Sequence, residues 1–497
     1  MGAPMASNQA LPVPSHDSAA APRVAGRLVD RAVVNAFPIA LVFILAMTLS
    51  AVGPVLFVGD SWMTLVAGRE VWASGLPDRE TLTVLGAGSR WIDQQWLAQL
   101  VYYATERIGG LSAVATLGVL VATAGLGLSV ATSRLLGASA RSTFLVGGVS
   151  FFVAPWAWQV RAQGLALPLF AATLLLSATH VRTPSRRLWL ALPLLLLWAN
   201  VHGSVLLGAM IVSLAAVGGA ITSSRNGRSR WSDLALAPAA WVCALATPYG
   251  VGIADYYRLL LVDPPFAGLV VEWQRTRPSV ITATFYVVAA ATILLAIRYR
   301  RRLTWFELVV LAMTLAGALQ AVRGVVWFAV VVAALLPNAL DGVFKRKDVI
   351  APRRANLVLI GLLASAATLA FTANLFRADA AFERTWPTGA IDVLAAAGPS
   401  ARVFPTDKHA NWILWRLPEL RGRVAFDVRF ELLTRAEVVA LARYTSEVGE
   451  SWQAATDGYE IVVLDPRDPP SHLDDLLAEP GTRLVYRDER IEILRRV

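Results

Sequence analysis

About eleven apolar stretches, each near the length of a bilayer crossing, recur along this chain at 33–58, 111–132, 143–158, 164–180, 188–200, 204–222, 234–251, 280–297, 303–319, 324–340 and 355–373. A transmembrane helix needs about 20 predominantly apolar residues, because without water every backbone polar group has to be satisfied inside the segment. A soluble fold could not bury so many: 56% of the 497 residues are hydrophobic, only 16% are charged, and mean hydropathy is +0.55. The expected fold is a polytopic α-helical membrane protein with about 11 transmembrane helices. The first stretch, Ala32 to Val58, exceeds the roughly 7–15 apolar residues of a cleaved signal peptide and reads as an uncleaved first helix. The Pro/Ala/Ser-rich residues before it, 1–31, read as a disordered cytoplasmic tail.

Basic residues outnumber acidic ones 45 to 35. They fall in short clusters in alternate linkers: Arg23, Arg27 and Arg31; Arg134 and Arg141; Arg182, Arg186 and Arg187; Arg225, Arg228 and Arg230; Arg298 to Arg302; Lys345 to Arg354. That distribution is topological and argues against a nucleic-acid partner. By the positive-inside rule these linkers and the N-terminus are cytoplasmic, and an odd number of crossings places the C-terminus outside the cytoplasmic membrane. The single cysteine, Cys243, sits in an apolar segment, permits no intrachain disulfide and reads as a small buried hydrophobe.

The opposite linkers, 59–110, 159–163, 200–204, 252–279 and 320–323, hold Asp60, Asp78, Glu80, Asp93, Arg161, His202, Glu272, Arg275 and Arg323. Trp62, Trp72, Trp91, Trp96, Trp156, Trp158 and Trp273 lie in or beside them, as an interfacial aromatic belt would. In the large first outer loop, 59–110, Trp62, Leu65, Val66 and Trp72 recur at helical spacing, as do Trp96, Leu97, Leu100, Val101 and Ala104. Both runs predict amphipathic helices lying along the membrane surface, joined by an ordered crossing loop.

Within 32–377 the pattern is that of membrane helices; after residue 377 it changes. "ARVFPT", "RVAFD", "EIVVLD", "TRLVYRD" and "RIEIL" read as strands, separated by helix-like runs at 408–416, 434–448 and 471–478. This predicts a small extracytoplasmic α/β domain over 378–497.

Several residues stand out, each with a plain reading beside a functional one. Asp60 lies one residue past the first apolar stretch and either stops that helix in water or does chemistry there. Arg161 and Arg323 occupy outer helix ends, where arginine is disfavoured; a forked guanidinium could hold a lipid phosphate, or snorkel to ordinary headgroups. Asp78 and Glu80 share a turn, and the lone His202 is more often a hydrogen-bonded structural residue than an acid or ligand. Asp427, Arg429 and Glu431 in "DVRFE" either contact an acceptor or form a structural ion pair.

"GDSW" at 59–62, "GLPDRE" at 75–80, "RWIDQQWL" at 90–97, "RAQ" at 161–163, "WANVHGS" at 198–204, "TPYG" at 247–250, "EW" at 272–273 and "DVRFE" at 427–431 follow one another through most of the chain. In this order they resemble a bacterial subgroup of the GT-C superfamily of membrane glycosyltransferases. The resemblance implies transfer of a sugar from a polyprenyl-phosphate-linked donor, with membrane lipids around it, to a cell-envelope acceptor. It implies Asp60 as catalytic base, with Asp78 or Glu80 as a second carboxylate. Arg161, Arg323 and Arg275 would bind the donor phosphate; His202, Gln163, Glu272, Trp273, Asp427 and Arg429 would contact substrate. Some members use a divalent cation, and Mg or Mn shared by Asp60 and another carboxylate would suit this chain without being required by it. Gln94-Gln95 replaces a His-Glu pair of the family, and which of Asp78 and Glu80 fills the family's position stays open. The missing titratable pair favours an alternative, a non-catalytic protein of lipid-linked-glycan binding, transport or envelope assembly. The transport variant lacks paired Gly/Pro-broken spans and charges deep within helices.

Overall fold

The structure is a computed structural model and describes residues 29–225, 231–262, 264–344, 352–398, 400–449, 451–469 and 471–496. Most of the expected N-terminal tail and of the basic linkers at 225–230 and 345–354 lies outside these residues. The principal helices are α1 (Ala36–Ala51), α2 (Gly59–Ser74), α3 (Trp96–Leu135), α4 (Ala140–Val153), α5 (Ala162–Arg182), α6 (Ala191–Ala199), α7 (Val205–Arg225), α8 (Leu236–Leu245), α9 (Ile253–Val262), α10 (Ala283–Arg298), α11 (Trp305–Gln320), α12 (Val325–Leu335), α13 (Arg353–Leu375), α14 (Asp407–Arg416) and α15 (Arg435–Ser446).

Every apolar stretch read from the sequence carries a helix, and the chain is a multi-pass membrane protein. By length and apolarity, α3, α5, α7 and α13 can each cross a bilayer alone; α8 and α9 form a further pair, bent by 92°. The remaining apolar helices are shorter, at 10–17 residues, with α6 at nine. α3 packs along α5 and α12, α5 along α7, and α13 against α1. Only 11% of the apolar window of α13 is buried, with Val358, Leu362 and Leu369 turned outward, so this helix relies on lipid to cover its outer face.

Two features of the first outer loop differ from the sequence reading. The second surface helix and the span after it are one element, α3, broken only at Gly109 and Gly110. Gly110 has φ 66°, and a Cβ there would come within 2.6 Å of the Asp379 carboxylate, which accepts the Leu111 N–H at 3.0 Å and caps the new start of the helix. The other is α2, which does not present one apolar face to lipid: Ser61 through Gly68 are all buried, between α3 and α14 of the C-terminal domain. Trp62 packs edge-on against Trp386 at 5.5 Å. The helix looked amphipathic because its cover is supplied from more than 300 residues away.

The C-terminal domain holds a four-stranded sheet of β1 (Val403–Phe404), β2 (Ile461–Leu464), β3 (Thr482–Arg487) and β4 (Glu492–Arg496), in the order β1-β2-β4-β3. β1 and β2 are parallel, pairing Val403 with Ile461; β4 runs antiparallel to both β2 and β3. The "RVAFD" segment forms single bridges, not a strand: Val424 bridges Val403 on one side and Thr83 of the first outer loop on the other. Val84 N–H donates to Val424 O at 2.8 Å, Leu85 N–H to Ala425 O at 2.9 Å, and Gly422 N–H to Leu82 O at 2.9 Å. The first outer loop thus extends the domain's sheet, and one hydrophobic cluster runs from Leu41 and Leu45 of α1 through Trp62 to Trp412 and Ile461.

Candidate active site

At the end of the bundle that meets the C-terminal domain, the helices are stitched together by backbone hydrogen bonds between loops far apart in sequence. Val160 N–H donates to Leu56 O at 2.9 Å, Leu97 N–H to Asn200 O at 3.1 Å, and Val322 N–H to Gln274 O at 3.1 Å. Gln94 Nε2 donates to Ala199 O at 2.8 Å, and Asn411 Nδ2 of α14 to Gly59 O at 3.4 Å. These ties hold the walls of a cavity of about 310 Å³, lined among others by Asp60, Arg161, Gln163, His202, Glu272, Trp273, Arg323 and Arg429.

Asp60 lies in the first turn of α2 and Arg161 directly precedes α5. Arg161 Nη1 bridges Asp60 Oδ2 at 3.1 Å and Glu272 Oε1 at 2.7 Å. The arginine side chain is 8% exposed, while that of Asp60 keeps 42% of its surface open to the cavity. Enclosure by protein raises the pKa of Asp60, Arg161 opposes that rise, and the neighbouring Glu272 adds to it. A raised pKa makes this carboxylate a stronger proton acceptor than an ordinary aspartate.

The Arg323 guanidinium lies over the Trp273 ring, 4.1 Å from its centroid, with no carboxylate in ion-pair range among the described residues. Its charge is therefore available to a ligand anion. His202 is buried, and its Nδ1 accepts the Ser204 N–H at 3.1 Å, which puts the proton of the neutral ring on Nε2. Burial, then the charges of Arg323 and Arg161, hold its pKa well below the ordinary histidine value. At neutral pH it is a hydrogen-bond donor without charge.

One end of the cavity is rich in amides. Asp93 Oδ2, Gln94 Oε1, Gln99 Oε1 and Gln163 Nε2 are buried and have no hydrogen-bond partner among the described residues. Burial pushes Asp93 up to about 7, against the pull of Arg429. Glu431, also lining the cavity, is likewise pushed by burial to about 7. Because the folded protein holds the Asp93 proton above the pH at which an unfolded chain releases it, the contribution of Asp93 to stability is fully present below about pH 4 and is lost as pH rises through about 7. Asp93→Asn is accordingly expected to raise the unfolding temperature by a few degrees at pH 8 and by much less at pH 5. Thermal unfolding of both proteins at the two pH values checks this; an equal shift at both would show that Asp93 does not titrate in that window.

No family model and no curated protein sequence matches the chain. Among solved structures it is similar to ArnT from Cupriavidus metallidurans in the apo state, at 14% identity over 92% of this chain and 97% of that one, with a TM-score of 0.52. It is equally similar to the same protein bound to undecaprenyl phosphate, at 15% identity over the same shares, with a TM-score of 0.51. The archaeal oligosaccharyltransferase AglB from Archaeoglobus fulgidus, in complex with an inhibitory peptide and a dolichol-phosphate, matches at 12% identity over 85% of this chain and 69% of its own, with a TM-score of 0.52. The chain has the GT-C fold.

On this GT-C scaffold four residues singled out in the sequence stand away from the cavity lining. Asp78 is exposed on the crossing loop, and Arg275 is exposed beyond Trp273. Glu80 is buried: Oε1 accepts the Leu82 N–H at 2.6 Å and the Thr83 N–H at 2.8 Å, and Oε2 pairs with Arg429 Nη1. Asp427 pairs with the same arginine through Nη2 at 2.6 Å. Glu80, Arg429 and Asp427 therefore form an ion-pair clamp between the first outer loop and the C-terminal domain, and Arg429 also lies over Trp91, 4.2 Å from the ring centroid. Asp60, which a Mg or Mn ion would share with another carboxylate, is joined to Glu272 through Arg161 instead. Among the described residues no three His, Cys, Asp or Glu side chains gather as a metal ion would need. Asp93, Gln94 and Gln99 join the site without a role assigned from the sequence: Asp93 and Gln94 are marked there only by lying between Trp91 and Trp96, with Gln94 in the pair that replaces His-Glu, and Gln99 by nothing.

Proposed function

We propose that the chain transfers a sugar from a polyprenyl-phosphate-linked donor to a cell-envelope acceptor on the outer face of the cytoplasmic membrane, inverting the anomeric carbon, with Asp60 as general base. The observation that carries this reading is the meeting of Asp60, of raised pKa, with Arg161 and the unpaired Arg323 in one cavity. An acceptor hydroxyl attacks the anomeric carbon, its proton passes to Asp60, and the bond from that carbon to the phosphate oxygen breaks. The departing polyprenyl phosphate gains negative charge, which Arg323 and Arg161 balance without an acid. The unpartnered amide and carboxyl atoms of Gln94, Gln99, Gln163 and Asp93 would be satisfied by sugar hydroxyls, which relieves the cost of burying them. Val251, Leu261, Val262, Val271, Val280 and Ile281 around the cavity's outer loop expose apolar surface on which a polyprenyl chain could lie. The structures of ArnT with undecaprenyl phosphate and AglB with a dolichol-phosphate support the choice of lipid carrier.

One observation favours a non-catalytic lipid-linked-glycan binder: Arg161 already occupies Asp60 Oδ2. Purified protein in nanodiscs, given a panel of undecaprenyl-phosphate-linked monosaccharides with envelope extract as acceptor, separates the two. Release of undecaprenyl phosphate supports transfer; tight donor binding without release supports the binder. In the same system Arg323→Gln is expected to weaken undecaprenyl phosphate binding about 10- to 100-fold, the worth of one charged hydrogen bond, and titration by calorimetry checks it.

A further inference from the structure

A second cleft, of about 150 Å³, lies within the C-terminal domain. It sits at the carboxyl ends of the parallel strands β1 and β2, which run on into Pro405-Thr406-Asp407 and Asp465, the place where open α/β sheets bind ligands. Its floor is apolar and aromatic, from Phe426, Phe430, Leu441 and Tyr444; its rim carries Asp407 and Asp468. Tyr444 is 8% exposed, and its hydroxyl has no hydrogen-bond partner among the described residues.

The charges around the cleft decide what it can take. Asp465 is saturated by Lys408 Nζ at 2.8 Å and by Arg467 Nη2 at 2.7 Å. Glu492 is paired with Arg487 and His472 with Glu447. Lys408 and Arg467 are thus committed to Asp465, with Lys408 also 3.9 Å from Asp468, and among the described residues no lysine or arginine lines the cleft to receive an anion. What remains is an aromatic floor, a free phenol and hydroxyl-accepting carboxylates, which match the apolar face and hydroxyl edge of a neutral sugar ring. The volume falls well below the roughly 300–1,000 Å³ of sites for larger ligands, which limits it to about one ring.

Asp407 lines this cleft, the cavity at Asp60, and an opening of about 380 Å³ that also touches Asp60 and Arg161. It is the shared wall of all three. We propose that the cleft is an acceptor subsite that binds a neutral sugar residue of an envelope glycan, so that a neighbouring residue of the same glycan presents its hydroxyl to Asp60. This rests on the transferase reading for the role of the site, and it names the acceptor as a glycan.

Saturation-transfer NMR on the full-length protein in nanodiscs tests it, with methyl α-D-mannopyranoside, methyl α-D-glucopyranoside and methyl α-D-arabinofuranoside as neutral probes, 1,4-diaminobutane as a cation and inorganic phosphate as an anion. At least one glycoside is expected to bind, and the ions are not. Tyr444→Phe, which keeps the packing, is expected to weaken binding 3- to 10-fold; Leu441→Trp, which fills the floor, to abolish it; and Asp60→Asn to leave it unchanged. Binding of no glycoside, preference for the diamine or phosphate, or full binding by both cleft variants overturns the proposal. A wild-type protein that binds the glycoside in a Tyr444-dependent way but never releases undecaprenyl phosphate would overturn the transferase reading alone.

Discussion

Asp60→Asn is expected to lower sugar transfer by about 10²- to 10⁴-fold, the usual worth of a positioned general base, with little change in thermal unfolding. Asparagine keeps the shape of the side chain and an oxygen that can accept from Arg161, and Glu272 still holds the same Nη1 of that arginine. What it cannot do is take the acceptor's proton. The pH dependence gives an independent readout. Transfer by the wild-type protein should fall on the acid side as Asp60 protonates through a pKa raised by its enclosure, and the residual activity of the variant should lack that limb. Steady-state rates across pH for the two proteins check both points; wild-type turnover in the variant would remove Asp60 from the chemistry.

Glu80→Ala is expected to destabilise the protein by about 3–5 kcal/mol, the cost of breaking a buried ion pair by removing one partner. Its carboxylate is fully buried and satisfies two backbone N–H groups as well as Arg429, so the truncation orphans three donors at once. Asp78→Asn, two residues earlier on the exposed face of the turn, should change stability by no more than about 0.5 kcal/mol. Thermal or denaturant unfolding of both variants makes the comparison. A Glu80→Ala protein that unfolds like the wild type but has lost transfer would show that Glu80 acts on substrate, not on the clamp.

Much of the architecture was legible because membrane helices advertise themselves by length and apolarity, and the strands at 403–404, 461–464, 482–487 and 492–496 by short β-branched runs between turns. The cavity residues were legible in part. Asp60, Arg161, His202, Glu272 and Arg323 sit in linkers that the charge alternation sorts to one side, and the structure brings them to one cavity. Pairings across long separations were not. Nothing local in "GLPDRE" distinguishes an exposed Asp78 from a Glu80 bonded to Arg429, 349 residues further on. The burial of α2 was hidden for the same reason, since a helix shows only the faces it has, not what another domain lays over them. Asp93 and its amide neighbours looked like loop polarity until their lack of partners became visible.

The bridges from Thr83 through Val424 to Val403 also bear on how the chain is made. The first outer loop leaves the ribosome hundreds of residues before its partners, so Glu80 Oε2, Leu82 O and the N–H groups of Val84 and Leu85 lack those partners until residues 422–429 are made. Contacts so distant in sequence close late. The roof of the cavity is therefore completed only when the last quarter of the polypeptide has been made, and a chain truncated before residue 424 is expected to leave this loop without its sheet partner and open to proteolysis.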